Sequence, residues 1–463
     1  MIDRRKFIIS GAAAGGTALI FNGLLRRAEA LTGSRGLAAY RAAGFGALAP
    51  RAAKNTGAIH LALPEGFEYH VIGGVGSAMK DGRPTPRSHD GMAAFPDGKK
   101  TRLVRNHEIN ARVPKAGVCL GAKNSYDESA GGGTTTLVVD SATRLLLRDF
   151  VSLSGTLNNC AGGATPWGSW ISCEETTLGQ TKYKTKDGRE VGGFLQPHGY
   201  CFEVRSAAEG NPPPVPLRAM GRFIHEAVAV DPKTGVVYLT EDNSPAGFYR
   251  FLPKRARRLA AGGTLQMLTV KGEPEYDTRT KQKPGAVFAA TWVTIDNPDP
   301  EEADTDESAV CRQGLKKGAA IFARLEGCFP WRSGKIYFAS TNGGDKKGGQ
   351  IWLYEPEGRD TGQLRLVFES PDRAVLDMPD NICLGPRSDL LYLCEDSDYG
   401  AAGGGTPENY VRILTPSGRI ADFARNVTPG FAASEFAGAT FTPDGKTLFV
   451  NLQGAGVTLA IWG

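Results

Sequence analysis

The sequence predicts an all-β fold, a six-bladed β-propeller with insertions over one mouth, on three observations. A unit recurs six times: a polar residue able to ligate, a short apolar run, a Gly/Pro/Asp turn, and a second apolar run ending in a polar cluster. The copies read HDGMAAFPDG…LVRNHE, NCAGGATPWGSWISCEE, HEAVAVDPKTGVVYLTEDN, RLEGCFPWRSGKIYFASTNGGD, PDNICLGPRSDLLYLCEDSD and EFAGATFTPDGKTLFVNLQ. Their leading residues are Asp90, Cys160, Glu226, Glu326, Asn381 and Glu435, each followed by a run as long as a strand entering its hairpin. Second, β-rich stretches bounded by turn residues place strands at residues 135–139, 236–240, 335–340, 390–394 and 447–452. Third, 60 Gly and 28 Pro in 463 residues suit many tight turns better than long helices. In a propeller each blade is a small antiparallel sheet repeated around a channel, so equivalent positions of every copy converge on one axis.

Ahead of the repeats, Arg4 and Arg5 precede a weakly apolar stretch at residues 7–25 and the small residues Ala28 and Ala30. This pattern predicts a twin-arginine signal over residues 1–30, passage through the twin-arginine export machinery, and a periplasmic or secreted location. Gly11, Gly15, Gly16 and Gly23 interrupt the stretch, which argues against a stable membrane span. Residues 31–59 read as a linker or N-terminal strap, and residues 60–463 as a single propeller domain expected to be a monomer. The charged segment between Lys254 and Gln313 reads as an excursion over one mouth with some helix in it. The formal charge of +5 comes partly from the signal and its flank. No basic stripe with interleaved aromatics is present, which excludes nucleic-acid binding.

Eight cysteines are scattered without paired short spacing. Cys173, Cys328, Cys383 and Cys394 sit inside apolar runs and read as buried small hydrophobes. Cys160 stands instead in Asn158-Asn159-Cys160-Ala161-Gly162-Gly163, in the slot filled elsewhere by Asp, Glu or Asn. The leading residues, with trailing Glu108, Glu174, Glu175, Glu241, Asp242, Glu395 and Asp396, make a carboxylate-rich set. Packed around one channel, these anions repel one another and resist desolvation unless cations neutralise them. Many hard oxygens suit calcium, and a thiolate among them favours a transition metal as well. A single carboxylate such as Asp396 or Glu108 reads equally well as a solvated turn residue. His107 and His225 are in reach of roles as proton donors or as structural partners of neighbouring carboxylates. The six tryptophans read as core, and Gly131-Gly132-Gly133 as a hairpin.

The segments NNCAGGATPWGSWISCEE, GRFIHEAVAVDPKTGVVYLTEDNSPAGFYRFLP, ARLEGCFPWRSGKIYFASTNGG and EFAGATFTPDGKTLFVNLQ resemble the PhoX-type alkaline phosphatases. That resemblance implies an exported six-bladed propeller hydrolysing phosphate monoesters with a cluster of ferric iron and calcium. It implies Cys160 as an iron ligand, with Glu174, Glu175, Glu226, Glu241, Glu326 and Glu435, and further Asp242 and Asp380, as metal ligands. Arg324 matches an arginine expected to hold the substrate phosphate, with Asn158 or Asn159 beside it and His225 as a proton donor. The chain is short for that family, and Asn243-Ser244-Pro245 after the acidic pair departs from its pattern. Two other functions compete: a calcium-dependent lactonase or esterase, since Pro379-Asp380-Asn381 resembles the calcium-binding strand of those propellers, and a non-catalytic periplasmic binding propeller.

Overall fold

A computed structural model describes residues 40–112, 124–331, 334–386, 388–397 and 408–463. The signal expected at residues 1–30, residues 31–39 of the linker, and Cys119 lie outside the described residues. Strands β1 (Ala49–Ala52), β2 (Ile59–Leu63) and β3 (Glu68–Ile72) precede the first repeat. Strands β4 (His89–Asp97), β5 (Lys100–His107), β6 (Gly132–Asp140) and β7 (Leu146–Thr156) then form a four-stranded antiparallel meander. Next come β8 (Asn159–Ala164), β9 (Ser169–Glu174), a small hairpin of β10 (Tyr183–Lys184) and β11 (Glu190–Val191), and β12 (Cys201–Arg205); β8, β9 and β12 make a three-stranded sheet.

A nine-stranded sheet follows. It contains β13 (His225–Val230), β14 (Val237–Glu241), β15 (Phe248–Pro253), β16 (Gly263–Val270) and β17 (Val287–Thr294). After helix α1 (Ala309–Leu315) it continues with β18 (Leu325–Pro330), β19 (Ile336–Ser340), β20 (Gln350–Pro356) and β21 (Gly362–Glu369). Strands β22 (Pro379–Leu384), β23 (Leu391–Glu395), β24 (Tyr410–Leu414) and β25 (Ile420–Asn426) combine with β1 and β2. Finally β26 (Phe436–Phe441), β27 (Leu448–Leu452) and β28 (Val457–Trp462) combine with β3. The N-terminal segment thus lends outer strands to the last two sheets, with Leu61 opposite Asn426 and Val71 opposite Leu459.

The arrangement is all-β and propeller-like, but its hydrogen bonding gives four separate blades and one nine-stranded sheet instead of six separate blades. The reason is an edge pairing: β17 meets β21, with Phe288 opposite Leu364, and fuses two meanders. The end strands β13 and β18 also lie against each other, so the sheet curls into a nearly closed barrel around Phe248, Trp292, Phe338, Trp352 and Tyr354. The segment between Lys254 and Gln313 is therefore only partly an excursion. It supplies outer strands β16 and β17, then a 3-10 turn at Glu301–Asp304 and α1. Gly132 and Gly133 open strand β6 instead of turning a hairpin, because a side chain at Gly132 would meet Asn159 Oδ1 and Thr156 O at 2.6 Å.

The innermost strands β4, β8, β13, β18, β22 and β26 touch in succession, and β26 returns to β4. One backbone device recurs at the head of each. The residue after the partner strand donates its N–H to the carbonyl before the inner strand: Glu108 to Ser88, Glu175 to Asn158, Asp242 to Ile224, Thr341 to Arg324, Asp396 to Met378 and Gln453 to Glu435, at 2.8–3.3 Å. Ser88, Asn158, Arg324 and Met378 have positive φ, and a register slip follows within each inner strand. Such bulges bend a strand and re-aim its side chains. Gly91 and Gly327 let the inner strands converge, since a Cβ there would meet Ala161 Cα at 2.6 Å and Asp380 O at 2.5 Å. Further along the inner strands lies an apolar cavity of about 400 Å³, lined by residues such as Met92, Gly162, Val228, Cys328 and Ile382.

Candidate metal centre

The repeated hydrogen bond defines three equivalent positions per repeat. Before the inner strand stand Ser88, Asn158, Ile224, Arg324, Met378 and Glu435; second in the strand or its equivalent stand Asp90, Cys160, Glu226, Glu326, Asp380 and Ala437; after the partner strand stand Glu108, Glu175, Asp242, Thr341, Asp396 and Gln453. Side chains from these positions meet in three groups whose potential ligand atoms lie within 4.8 Å of one another. They are Cys160 with Glu175 and Glu226, Glu226 with Glu326 and Asp380, and Asp90 with Glu108 and Glu435.

Burial, then repulsion from neighbouring carboxylates, pushes Asp90, Glu175, Glu226, Glu326, Asp380 and Glu435 well above the usual carboxylate range. The same causes raise Glu108 to about 7 and push the Cys160 thiol up. Glu226 is the extreme case. It is fully buried, it belongs to two groups, and neither of its oxygens has a hydrogen-bond partner. A buried carboxylate without a partner is costly unless a cation takes its charge. Carboxylate oxygens with one thiol match hard cations beside a softer transition metal, so the residues present fit bound metal ions.

Amides and one guanidinium hold the rim. Arg324 donates from Nε and Nη2 to Asp242, both at 2.9 Å, and from Nη2 to Glu326 Oε1 at 2.9 Å. Asn158 Nδ2 donates to Glu175 Oε2 at 3.1 Å. Asn381, the expected leading residue of its repeat, is a strut: its Nδ2 donates to Asp380 Oδ1 at 2.8 Å and its Oδ1 accepts from Gly438 N–H at 2.5 Å. Asp380 takes the leading position, and Glu435 arrives from the position before the strand.

Four residues expected at the site have their side chains engaged elsewhere. Glu174 accepts from the N–H groups of Leu157, Gly199 and Tyr200 and lies 2.6 Å from His198 Nδ1. Glu241 accepts at Oε2 from Gly247 N–H and the Tyr249 hydroxyl, both at 2.8 Å, while its Oε1 has no hydrogen-bond partner among the described residues. His225 lies 2.9 Å from Gly221 O and 3.5 Å from Cys201 Sγ, and Asn159 binds Thr156 and Ser172. The cause is strand alternation: successive side chains point to opposite faces, so Glu175 and Asp242 take the face that their neighbours leave. Sequence reading missed Gln453, which donates to Asp90 Oδ2 at 3.0 Å and to Glu108; its place in the trailing cluster of the sixth copy was the available signal. It also missed His198, buried between Glu174 and Asp127, for which the sequence carries no pattern.

Fold and site together define a propeller-like protein with a carboxylate and thiol cluster at the head of its channel. Residues 43–456 match the family alkaline phosphatase PhoX. The chain belongs to that family of phosphatase hydrolases. In structure it is similar to Pseudomonas fluorescens PhoX in complex with vanadate, a transition state analogue, with 19% identity and a TM-score of 0.67 over 90% of this chain and 97% of that one; at this identity the likeness concerns the fold. A gluconolactonase of Xanthomonas campestris aligns with 12% identity and a TM-score of 0.38 over 85% of this chain and 97% of that one, too loosely to bear on function. No curated protein matches the sequence. Among the described residues no helix is long and apolar enough to cross a membrane.

Proposed function

We propose that the chain hydrolyses phosphate monoesters at the channel mouth of a six-bladed propeller, the nine-stranded sheet counting as two fused blades, after export by the twin-arginine route. The observation that carries this is Glu226, a buried carboxylate with both oxygens unpartnered where two acidic groups join. Cys160, Glu175 and Glu226 would hold ferric iron, and Asp90, Glu108, Glu326, Asp380 and Glu435 would hold calcium. When bound, the cations supply charge neutralisation and Lewis acidity toward a phosphoryl oxygen.

The remaining work falls to residues of the chain. Arg324 is partly exposed, at 32% of its side chain, and two of its nitrogens are fixed by Asp242 and Glu326. Its Nη1 donates to none of the described residues, which leaves that corner of a planar, pre-oriented guanidinium for a substrate oxygen. Asn158, whose Nδ2 donates to the carbonyl and to Oε2 of Glu175, would exchange one of these bonds for the same phosphoryl group. Orienting the substrate in this way lowers the entropic part of the barrier.

The test is release of phosphate from p-nitrophenyl phosphate by the exported protein, with elemental analysis of the same sample. Iron plus calcium, activity lost on chelation, and activity lost in Cys160→Ala are expected. Calcium alone, with full activity in Cys160→Ala, would sink the iron assignment.

A further inference from the structure

We propose that Cys173 and Cys201 form a disulfide that staples the three-stranded sheet when the protein matures in an oxidising compartment. The two residues stand directly opposite each other on β9 and β12, with sulfurs 3.6 Å apart. The adjacent pair, Glu174 and Tyr200, is joined by the Glu174 N–H donating to the Tyr200 carbonyl at 3.1 Å. Hydrogen-bonded and non-hydrogen-bonded pairs alternate along an antiparallel ladder, so Cys173 and Cys201 form a non-hydrogen-bonded pair. Such pairs bring Cα atoms to about 4.5 Å, inside the span that a disulfide bridges.

The sheet has a reason to need the link. The segment Asn211-Pro212-Pro213-Pro214-Val215-Pro216 leads up to the outer side of β12, where a fourth strand would lie. Among the described residues, β12 is met there by a bridge between Phe202 and Pro216 and by the Leu217 N–H on Cys201 O, and proline has no N–H to extend the ladder. A bond between the middle strand and the outer strand offsets the missing edge.

The oxidant is an external disulfide of the thiol-exchange class. The Cys201 sulfur attacks one of its sulfurs, forming a mixed disulfide and releasing one thiol; the Cys173 sulfur then displaces the second thiol and closes the Cys173–Cys201 bond. The two protein S–H bonds are lost, their protons leave on the two released thiols, and the external disulfide takes up the two electrons. Both sulfurs belong to residues wholly buried in the finished fold, against Val228, Leu239 and Tyr249. Exchange therefore takes place while β12 is locally open from that interface.

The inference does not depend on the phosphatase reading. The full chain is recovered from an oxidising compartment, denatured without reductant, alkylated and peptide-mapped. A linked pair of peptides carrying Cys173 and Cys201 is expected; alkyl groups on both cysteines would overturn the proposal. In thermal unfolding, reductant lowers the midpoint of the wild type by roughly several degrees and leaves the Cys173→Ala/Cys201→Ala protein unchanged. An equal response of both proteins to reductant overturns the proposal too. Should the double variant not fold, the peptide map alone decides.

Discussion

The three-stranded and nine-stranded sheets sit side by side in the ring and solve the same problem in opposite ways. The nine-stranded sheet extends its backbone ladder outward until β17 finds β21, and it encloses an aromatic core around Phe248 and Trp352. The three-stranded sheet ends against prolines and holds itself with buried polar groups instead. Glu174 collects three backbone N–H groups and His198, and His198 leans on Asp127. Yet both offer the channel the same three positions per repeat. Outer edges vary with whatever backbone donors the sequence supplies, whereas inner edges answer to the site.

Substitutions on either side of the boundary sharpen this contrast. The largest effect falls where the sheets meet, at Glu226. Glu226→Gln keeps the shape and removes the charge, and kcat/KM is expected to fall about a thousandfold, equivalent to about 4 kcal/mol of barrier. In cation-stripped protein the same variant melts no lower than the wild type, because a neutral amide costs less to bury there; a clear loss of stripped-protein stability would break the cation-site reading.

The polar anchor comes next. Burial alone would lower the His198 pKa, but Glu174 and Asp127 outweigh it and raise it to about 9. A raised folded-state pKa means that its contribution is fully present below the ordinary histidine value of about 6.5 and is lost as pH rises through about 9. Wild-type stability should therefore fall by about 3 kcal/mol across that window on account of this residue, and His198→Gln should remove that share of the slope in denaturant melts taken between those pH values. The apolar seam behaves differently. Leu364→Ala, at a fully buried position opposite Phe288, should cost about 2.5 kcal/mol with no pH dependence in the same melts. The smallest effect is Arg324→Lys, which keeps charge but loses the planar fork. KM should rise about tenfold, worth about 1.4 kcal/mol, while metal content stays unchanged.

Much of this was legible in the sequence, and the rest fails for definite physical reasons. The five expected strands fall within β6, β14, β19, β23 and β27 or differ from them by one residue at one or both ends. The leading residues Asp90, Cys160, Glu226 and Glu326 are legible because each can ligate and opens the apolar run of its copy. Simple alternation points to Asn381 instead of Asp380 as the leading residue, because it does not register the residue that a bulge adds. In Glu174-Glu175 and Glu241-Asp242 both residues look like ligands, and only the register across the partner strand decides which one turns toward the channel. The fusion of two meanders through β17 and β21 joins residues far apart in the chain, and nothing local in Val287–Thr294 names its partner.

The pairing of β3 with β28 has a consequence for how the molecule is made. A ribosome delivers β3 long before β28, so the ring stays an open arc until β28 emerges. Such long-range pairings are the slow steps of β folding and leave strand edges exposed meanwhile. The group of Asp90, Glu108 and Glu435 converges only when the ring shuts, because Asp90 belongs to the first inner strand and Glu435 stands before the last. Cation capture by that group is thus a chemical report that the ring has closed.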